Sequence, residues 1–361
     1  MIRSRTSTSN EHPHMPTQPG SIRSRPRAAE RACLATRSQP MNGHRFSRAI
    51  RPIRITRKPG DTMKAVRYDR FSGIDGIYLA DVPEPVAGLG EVVVRVEAGA
   101  LNPGALPALH GSSYTPGRDL AGEVVAAGAD VPGFTVGDAV LGRLQSWDAH
   151  AQFVAIPTDQ LVSKPQGLSW DVAGSLATTP MAGLGAIRAV DPRAGETIVI
   201  SGASGGVGFT AAQLALHAGA TVIGLTSDAH FDLLRHHGIQ PVRYGDGEQE
   251  RILATTDRAD AFIDTVGGGY LDLAINLGVP TDRIDTVVDC RGAKEKGVKS
   301  LGTADAGGPP ALAELAALAA AGDLHIPIAA TYPLTAVRDA YQALADRKTH
   351  GRIVLHPQDL G

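Results

Sequence analysis

Between residues 197 and 225 the chain sets a glycine-rich turn between two apolar runs. Thr197-Ile198-Val199-Ile200-Ser201 is short, continuous and β-branched, the pattern of a strand buried on both faces. Gly202-Ala203-Ser204-Gly205-Gly206-Val207-Gly208 follows, then a helical stretch from Phe209 to Ala218, a stop at Gly219, and a second strand, Thr221 to Leu225. In such a βαβ unit a glycine-rich turn binds a dinucleotide. Gly205 lets the backbone approach a pyrophosphate, and Gly208 lets the helix pack closely on the strand. The unpaired N–H groups and the positive dipole end of the helix then face the phosphates. Ala203 stands where the fingerprint has its first glycine. A tight turn without a ligand is the alternative; the order strand, turn, helix, strand favours the dinucleotide.

The residue closing the second strand selects between the two nicotinamide dinucleotides. A carboxylate there binds the ribose hydroxyls of NAD and repels a 2′-phosphate. This chain has Thr226 and then Ser227, neutral hydroxyls that favour NADPH.

The elements that must position this turn extend on both sides. From Met63 to about Ala182 short strands alternate with Gly and Pro turns: Glu91–Glu97, Asp119–Ala127 (broken by Gly122), Gly137–Gly142 and Ala151–Ile156. This reads as a partly open β-barrel forming the substrate side of a cleft. Trp170 to about Val190 is helical and leads into the dinucleotide unit. The doubly wound α/β pattern continues with a helix over 228–237, a strand over 260–264, the turn Thr265-Val266-Gly267-Gly268-Gly269, a strand over 283–288 and a helix over 311–321. The chain closes with strand, helix (334–346) and strand (352–355).

Residues 1–62 differ in kind. They hold 13 Lys and Arg against three acids, and the remainder holds 22 against 34, so the tail is near +10 and the body near −12. The tail has no hydrophobic period and is expected to be disordered. A targeting peptide, a nucleic-acid-binding arm and upstream sequence outside the functional protein, starting at Met63, are its three readings; the prolines and the clean globular start at Met63 favour the last. An acidic body argues against nucleic acid as main partner. No run approaches the ~18 apolar residues of a membrane span. Cys33 and Cys290 make no disulfide framework and too few thiols for a multi-cysteine metal site, so a cytoplasmic setting is expected.

Seven short segments in order carry a family resemblance: Met63-Lys64-Ala65-Val66 with Asp81-Val82-Pro83-Glu84-Pro85; Leu101-Asn102-Pro103; Pro116-Gly117-Arg118-Asp119-Leu120-Ala121-Gly122; Gly137-Asp138-Ala139-Val140; the glycine turn; Asp264-Thr265-Val266-Gly267-Gly268; and Gly351-Arg352-Ile353-Val354-Leu355. From Met63 to about Pro357 the chain resembles the medium-chain dehydrogenase/reductase superfamily, quinone oxidoreductase branch. The resemblance implies a GroES-like barrel domain (63–182), a Rossmann doubly wound parallel-sheet domain (183–310) and a C-terminal segment (311–361) returning to the barrel. It also implies NADPH, a cleft between the domains and a homodimer, with the 297–302 segment similar to the family's dimer edge. Relatives add a Lys or Arg after the second strand and a Tyr after the next; here His230 and Tyr244 hold those places. Val266 and Gly267 are expected under the cofactor. Arg352 either reaches the cofactor or is a surface arginine.

Zinc-using relatives carry Cys and His ligands on the barrel, and a catalytic zinc takes three protein ligands and an open position. Asn102 and Arg118 stand near those places, there is no cysteine between Cys33 and Cys290, and His110 and His150 read as isolated loop residues. No metal is therefore expected. Without a Lewis acid the chemistry suits an acceptor that already takes hydride, a quinone or a conjugated enone. Donors aimed at its oxygen would stabilise the developing charge. Asn102, Tyr114 and Arg118 are the candidates, each with a structural alternative: a turn-stabilising Asn, an exposed loop Tyr, and an Arg118–Asp119 ion pair. Two departures from the family, Ala105 where an acid is common and Gly185 where a threonine is common, leave the substrate open. An enoyl-thioester reductase is the rival enzyme; a non-catalytic NADPH- or RNA-binding protein on the same fold is the rival of a different class.

Overall fold

The computed structural model describes residues 61–68, 73–103, 115–346 and 350–361. The expectations for the tail, Ala105, His110 and Tyr114 lie outside them. Strand β1 (Thr62–Tyr68) pairs antiparallel with β2 (Ile77–Pro83). Strands β3 (Glu91–Ala100), β4 (Asp119–Ala127), β5 (Ala139–Arg143), β6 (Phe153–Pro157) and β7 (Leu161–Ser163) form the barrel sheet. Its centre is β3, which pairs with β4 and, over residues 91–95, with β6. Val92, Val94 and Val96 alternate into a core with Leu120, Val124, Val140 and Ile156, as the two-residue period of a strand requires. Gly122 does not break β4, as its sequence suggested. The strand runs through it, and a Cβ there would meet the Arg95 carbonyl oxygen at 2.0 Å, so glycine admits the close approach of β3 beside a bulge.

The stretch 170–190 is two helices, α1 (Trp170–Ala173) and α2 (Thr179–Val190), interrupted at Gly174. A Cβ at Gly174 would meet the Ala98 carbonyl at 2.6 Å, so α1 ends where the chain presses on β3. There follow β8 (Thr197–Ser201), α3 (Gly206–His217), β9 (Thr221–Thr226), α4 (Phe231–His236), β10 (Gln240–Arg243), α5 (Glu248–Leu253), β11 (Ala261–Asp264), α6 (Tyr270–Asn276), β12 (Ile284–Thr286), α7 (Cys290–Lys296) and α8 (Gly308–Ala321). The five strands are all parallel in the order β10-β9-β8-β11-β12. Alternate residues feed two cores. Ile198 and Ile200 pack with Phe209 and Leu184 on one face, and Val199 packs with Phe262 and Leu271 on the other. That is why β8 reads as an unbroken apolar run. Lys299 pairs in parallel beside β12, with Thr286 N–H donating to its carbonyl at 3.1 Å. Short β10, α5, α6 and α7 gave no clear sequence signal.

The chain then returns. In β13 (Ile328–Pro333), α9 (Val337–Asp346) and β14 (Arg352–His356), β13 runs parallel to β14, and β14 pairs antiparallel with β3 at Ala100–Val354. Helix α9 closes a core of Tyr68, Ile77, Leu101, Tyr341 and Leu355.

His150 lies in the loop between β5 and β6, as its sequence context suggested, but it is not on the surface. It is fully buried between β3 and α9, with Nδ1 3.2 Å from the Tyr341 hydroxyl. A Cβ on Gly117, whose φ is +97°, would fall 2.3 Å from its ring, so glycine is required opposite it. Burial pushes the imidazole down to about 4. A histidine held neutral in the fold must charge on unfolding, so stability is lost as pH falls from about 6.5 towards 4. Urea unfolding should show wild type losing roughly 2 kcal/mol between pH 6.5 and 5 relative to His150→Gln; equal pH slopes would remove this role.

Candidate functional site: the turn at the start of α3 and the barrel junction

The chain leaves β8 through Gly202, whose φ is +62°, so the left-handed residue of the turn lies one position before Ala203. Ala203 is itself buried, and its Cβ packs where a Cβ on Gly224 would lie at 2.7 Å. It shapes the turn from beneath. A Cβ at Gly208 would meet the Gly202 carbonyl oxygen at 2.4 Å, and one at Gly206 would meet the Thr179 methyl at 2.6 Å. Helix and turn therefore touch backbone to backbone. Helix α3 begins with Gly205 as cap and no side-chain cap, leaving the first-turn N–H groups of Gly206, Val207 and Gly208 to an external acceptor. The Gly206 end opens on a cleft lined by Ser204, Phe209, His350 and Arg352 among others.

At the end of β9 the Thr226 hydroxyl is buried and donates to Ser204 Oγ at 2.7 Å, clipping strand to turn. Ser227 Oγ lies 3.0 Å from His230 Nδ1. Tyr244 is about half exposed, its N–H bonded to the Thr226 carbonyl at 3.2 Å. Buried Asp264 ends β11. Its Oδ1 accepts from Ser201 Oγ at 2.8 Å and from the N–H groups of Val266 and Gly267 at 2.9 Å each, while Oδ2 accepts from Thr286 at 2.8 Å. The Val266 side chain stands exposed beside Gly202. Residues from β8, β9 and β11 thus converge at the carboxyl ends of the parallel strands, where this architecture places its ligands.

A polar junction lies between turn and barrel. Asp119, fully buried on β4, accepts from Asn102 Nδ2 at 3.1 Å and from the Thr178 hydroxyl, and lies 3.7 Å from Arg352 Nη2. Arg352, also buried, donates to Asn102 Oδ1 at 2.7 Å, to the Leu101 carbonyl at 3.1 Å and to Thr179 Oγ1 at 2.8 Å. Thr179 donates in turn to Asn102 Oδ1 at 2.8 Å. Burial pushes Asp119 up and Arg352 down, against their charges; their mutual attraction and the Thr178 and Asn102 hydrogen bonds oppose this. Among the described residues the buried Arg352 Nε has no hydrogen-bond partner.

Several sequence readings change here. Arg352 is not a surface arginine; it joins barrel, helix and cleft. The Asp119 ion pair is with Arg352. Arg118 instead lies over the Trp147 ring at 4.4 Å, and burial, with Arg143 nearby, pushes it down to about 10. Asn102 is held at both ends of its amide. Gly185 has a steric cause, since a Cβ there would meet the Gly302 carbonyl oxygen at 2.3 Å where the 302 segment crosses α2. Thr178, Thr179, Trp147 and His350 were missed. Thr178-Thr179-Pro180 carried a signal, being a helix start with proline in its first turn; the others had none.

The residues here do not fit a zinc ion. Two guanidiniums, Arg118 and Arg352, and a hydrogen-bonded amide, Asn102, stand around the one carboxylate, Asp119. Among the described residues no three His, Cys, Asp or Glu side chains converge as a ligand set. A dinucleotide fits better, because glycine backbone and an arginine line the cleft at a free helix start. No helix among the described residues is long and apolar enough to cross a membrane.

Residues 88–179 match the alcohol dehydrogenase GroES-like domain and residues 238–355 the zinc-binding dehydrogenase domain. The spectinabilin polyketide synthase system protein NorB of Streptomyces orinoci is 29% identical over 97% of this chain and 17% of its own length. The chloroplastic quinone-oxidoreductase QR1 of Triphysaria versicolor is 32% identical over 51% of this chain and 61% of its own length, so the chain spans only part of both relatives. The solved quinone oxidoreductase of Coxiella burnetii superposes with a TM-score of 0.74 at 26% identity, covering 82% of this chain and 99% of that one. With a GroES-like barrel, a parallel sheet in dinucleotide-binding order and these relatives, the chain belongs to the medium-chain dehydrogenase/reductase superfamily and is quinone-oxidoreductase-like.

Proposed function

We propose that the protein is a zinc-independent, NADPH-dependent reductase of quinones or α,β-unsaturated carbonyls. The observation that carries this reading is the free start of α3, open to the same cleft as Arg352, at a barrel junction built from guanidinium and amide groups instead of metal ligands. When bound, a reduced nicotinamide supplies the hydride. The N–H groups of Gly206, Val207 and Gly208, with Arg352, hold the pyrophosphate, and the Ala203–Ser204–Gly205 turn shapes its approach. Thr226, Ser227, His230 and Tyr244 form the adenosine end, where the lack of a carboxylate at the close of β9 admits a 2′-phosphate. Val266 and Gly267 form the floor. Asn102, fixed by Asp119, Thr179 and Arg352, keeps one amide N–H for the acceptor oxygen; Tyr114 and Arg118 complete the donor set. The division at 182 and 310, a cytoplasmic homodimer paired along 297–302, and a functional start at Met63 belong to the same reading.

One observation favours a second substrate class. The match to a polyketide synthase system protein runs along 97% of this chain, which suits reduction of an enoyl thioester, a conjugated carbonyl of the same electronic kind.

Loss of reduced-nicotinamide absorbance with benzoquinone, phenanthrenequinone, a simple enone and a short enoyl thioester separates these. The expected result is turnover resistant to EDTA, with NADPH preferred about tenfold or more. Turnover abolished by EDTA and restored by zinc would overturn the metal reading. The preferred acceptor decides between the substrate classes.

The junction makes its own prediction. Arg352→Met leaves Asp119 buried without its cation and should cost roughly 3–5 kcal/mol in urea unfolding. Asp119→Asn combined with Arg352→Met should cost well under the sum of the two single changes, because the pair is one unit. Additive costs would show that the two side chains are not coupled.

A further inference from the structure

Five histidines gather beside the cleft, and the adenosine end takes only one of them, His230. Phe209, on the first turns of α3, is their hub. The His237 ring lies 4.9 Å from it, His350 5.9 Å and His325 6.4 Å, all edge-on. His237 stacks on His325 at 5.3 Å and meets His236 at 5.1 Å; His350 lies 5.2 Å from His230. His350 lines the cleft with Ser204, Gly206 and Arg352. Among the described residues its buried Nε2 has no hydrogen-bond partner, which leaves it open to a ligand. His230, beside His350, has its Nδ1 3.0 Å from Ser227 Oγ, and the neighbouring Thr226 hydroxyl donates at 2.7 Å to Ser204, which lines the cleft. Two neighbouring imidazoles therefore connect the cleft at His350 to the close of β9 at Ser227.

We propose that His350 and His230 form a protonatable clamp for a phosphate monoester, the 2′-phosphate of NADPH, so that the preference for NADPH over NADH strengthens as pH falls through neutrality. The proposal rests on the reading that this cleft takes a nicotinamide dinucleotide, and it adds the residue and the control. Imidazoles packed this closely resist charging together. Burial first, then His230, His325 and His237, hold His350 below the usual histidine range; burial, then His237 and His236, do the same to His325. The other charged groups near the clamp are Arg352, engaged at the junction, and Asp228, which pairs with Arg243 at 3.5 Å. Arg347 and Lys348 precede His350 in sequence and lie outside the described residues. Without an anion His350 is held towards its neutral form. A dianionic phosphate stabilises the imidazolium form, so binding draws in a proton, which NADH gives no reason to take up.

Calorimetric titration of the full chain with NADPH and with NADH tests this, in two non-phosphate buffers of different ionisation enthalpy. It should run from about pH 6.5, above which a phosphate monoester is mainly dianionic, to about pH 8.5. The expected result is uptake of about a quarter to half a proton with NADPH, averaged over this range, and none with NADH, and an affinity ratio that grows about three- to tenfold from the upper to the lower pH. His350→Gln and His230→Gln should each reduce the uptake and flatten the ratio, with urea midpoints confirming that the variants fold. His350→Lys should keep the NADPH preference but make it independent of pH, an outcome that a merely structural histidine would not produce. A pH-independent NADPH preference in wild type, or equal proton uptake with both cofactors, would overturn the clamp and assign discrimination to fixed charges. Failure to bind either cofactor would overturn the cofactor reading itself and the clamp with it.

Discussion

The arrangement depends on a buried charge. Asp119 sits on a barrel strand with no exposure, and the cation nearest to it, Arg352, comes from a strand that arrives more than two hundred residues later. A carboxylate in that position is tolerated only if its oxygens are paired, and Asn102, Thr178 and Arg352 pair them. Each partner lies on a different element: the end of β3, the start of α2 and the start of β14. The electrostatic requirement of one side chain thereby fixes where the barrel, the linking helix and the returning segment meet.

The same junction sets the cleft. Thr179, bonded to Arg352 and Asn102, presents its methyl to Gly206, where any side chain would collide with it. The start of α3 is thus held against the barrel by contact on one side and by the Gly208–Gly202 approach on the other. Its free N–H groups keep a fixed direction, as preorganised anion binding requires. Arg352 lines that cleft while remaining part of the junction, so the proposed cofactor site and the barrel packing share a residue.

Polar groups elsewhere are handled by the same physics in different ways. Asp264 is buried but accepts from two hydroxyls and two backbone N–H groups, and so anchors the turn after β11. His150 is buried with a tyrosine hydroxyl and is held neutral. His325 and His350, beside Phe209, are only partly covered and are held below the usual histidine range by burial and by neighbouring imidazoles. Burial with complete pairing, burial without charge and partial burial with mutual repulsion give a structural anchor, a core residue and a titratable rim.

Much of this was local and so legible in the amino-acid order. The run 197–201, the glycines at 205, 206 and 208, and the hydroxyls at 226 and 227 declare a dinucleotide turn, because strand period, helix start and backbone clearance are set by neighbours in sequence. The alternating valines of β3 declared a barrel strand for the same reason. Three features were decided only by tertiary contact. Gly202, not the residue at 203, carries the left-handed turn, because Ala203 is needed against Gly224. Asp119 pairs with Arg352 and not with its neighbour Arg118, because Arg118, just before β4, lies over the Trp147 ring. His350 meets His230 across about 120 positions of chain. Periodicity reports which face a residue occupies; it carries no information on which distant residue faces it, and that pairing is what the folded chain supplied.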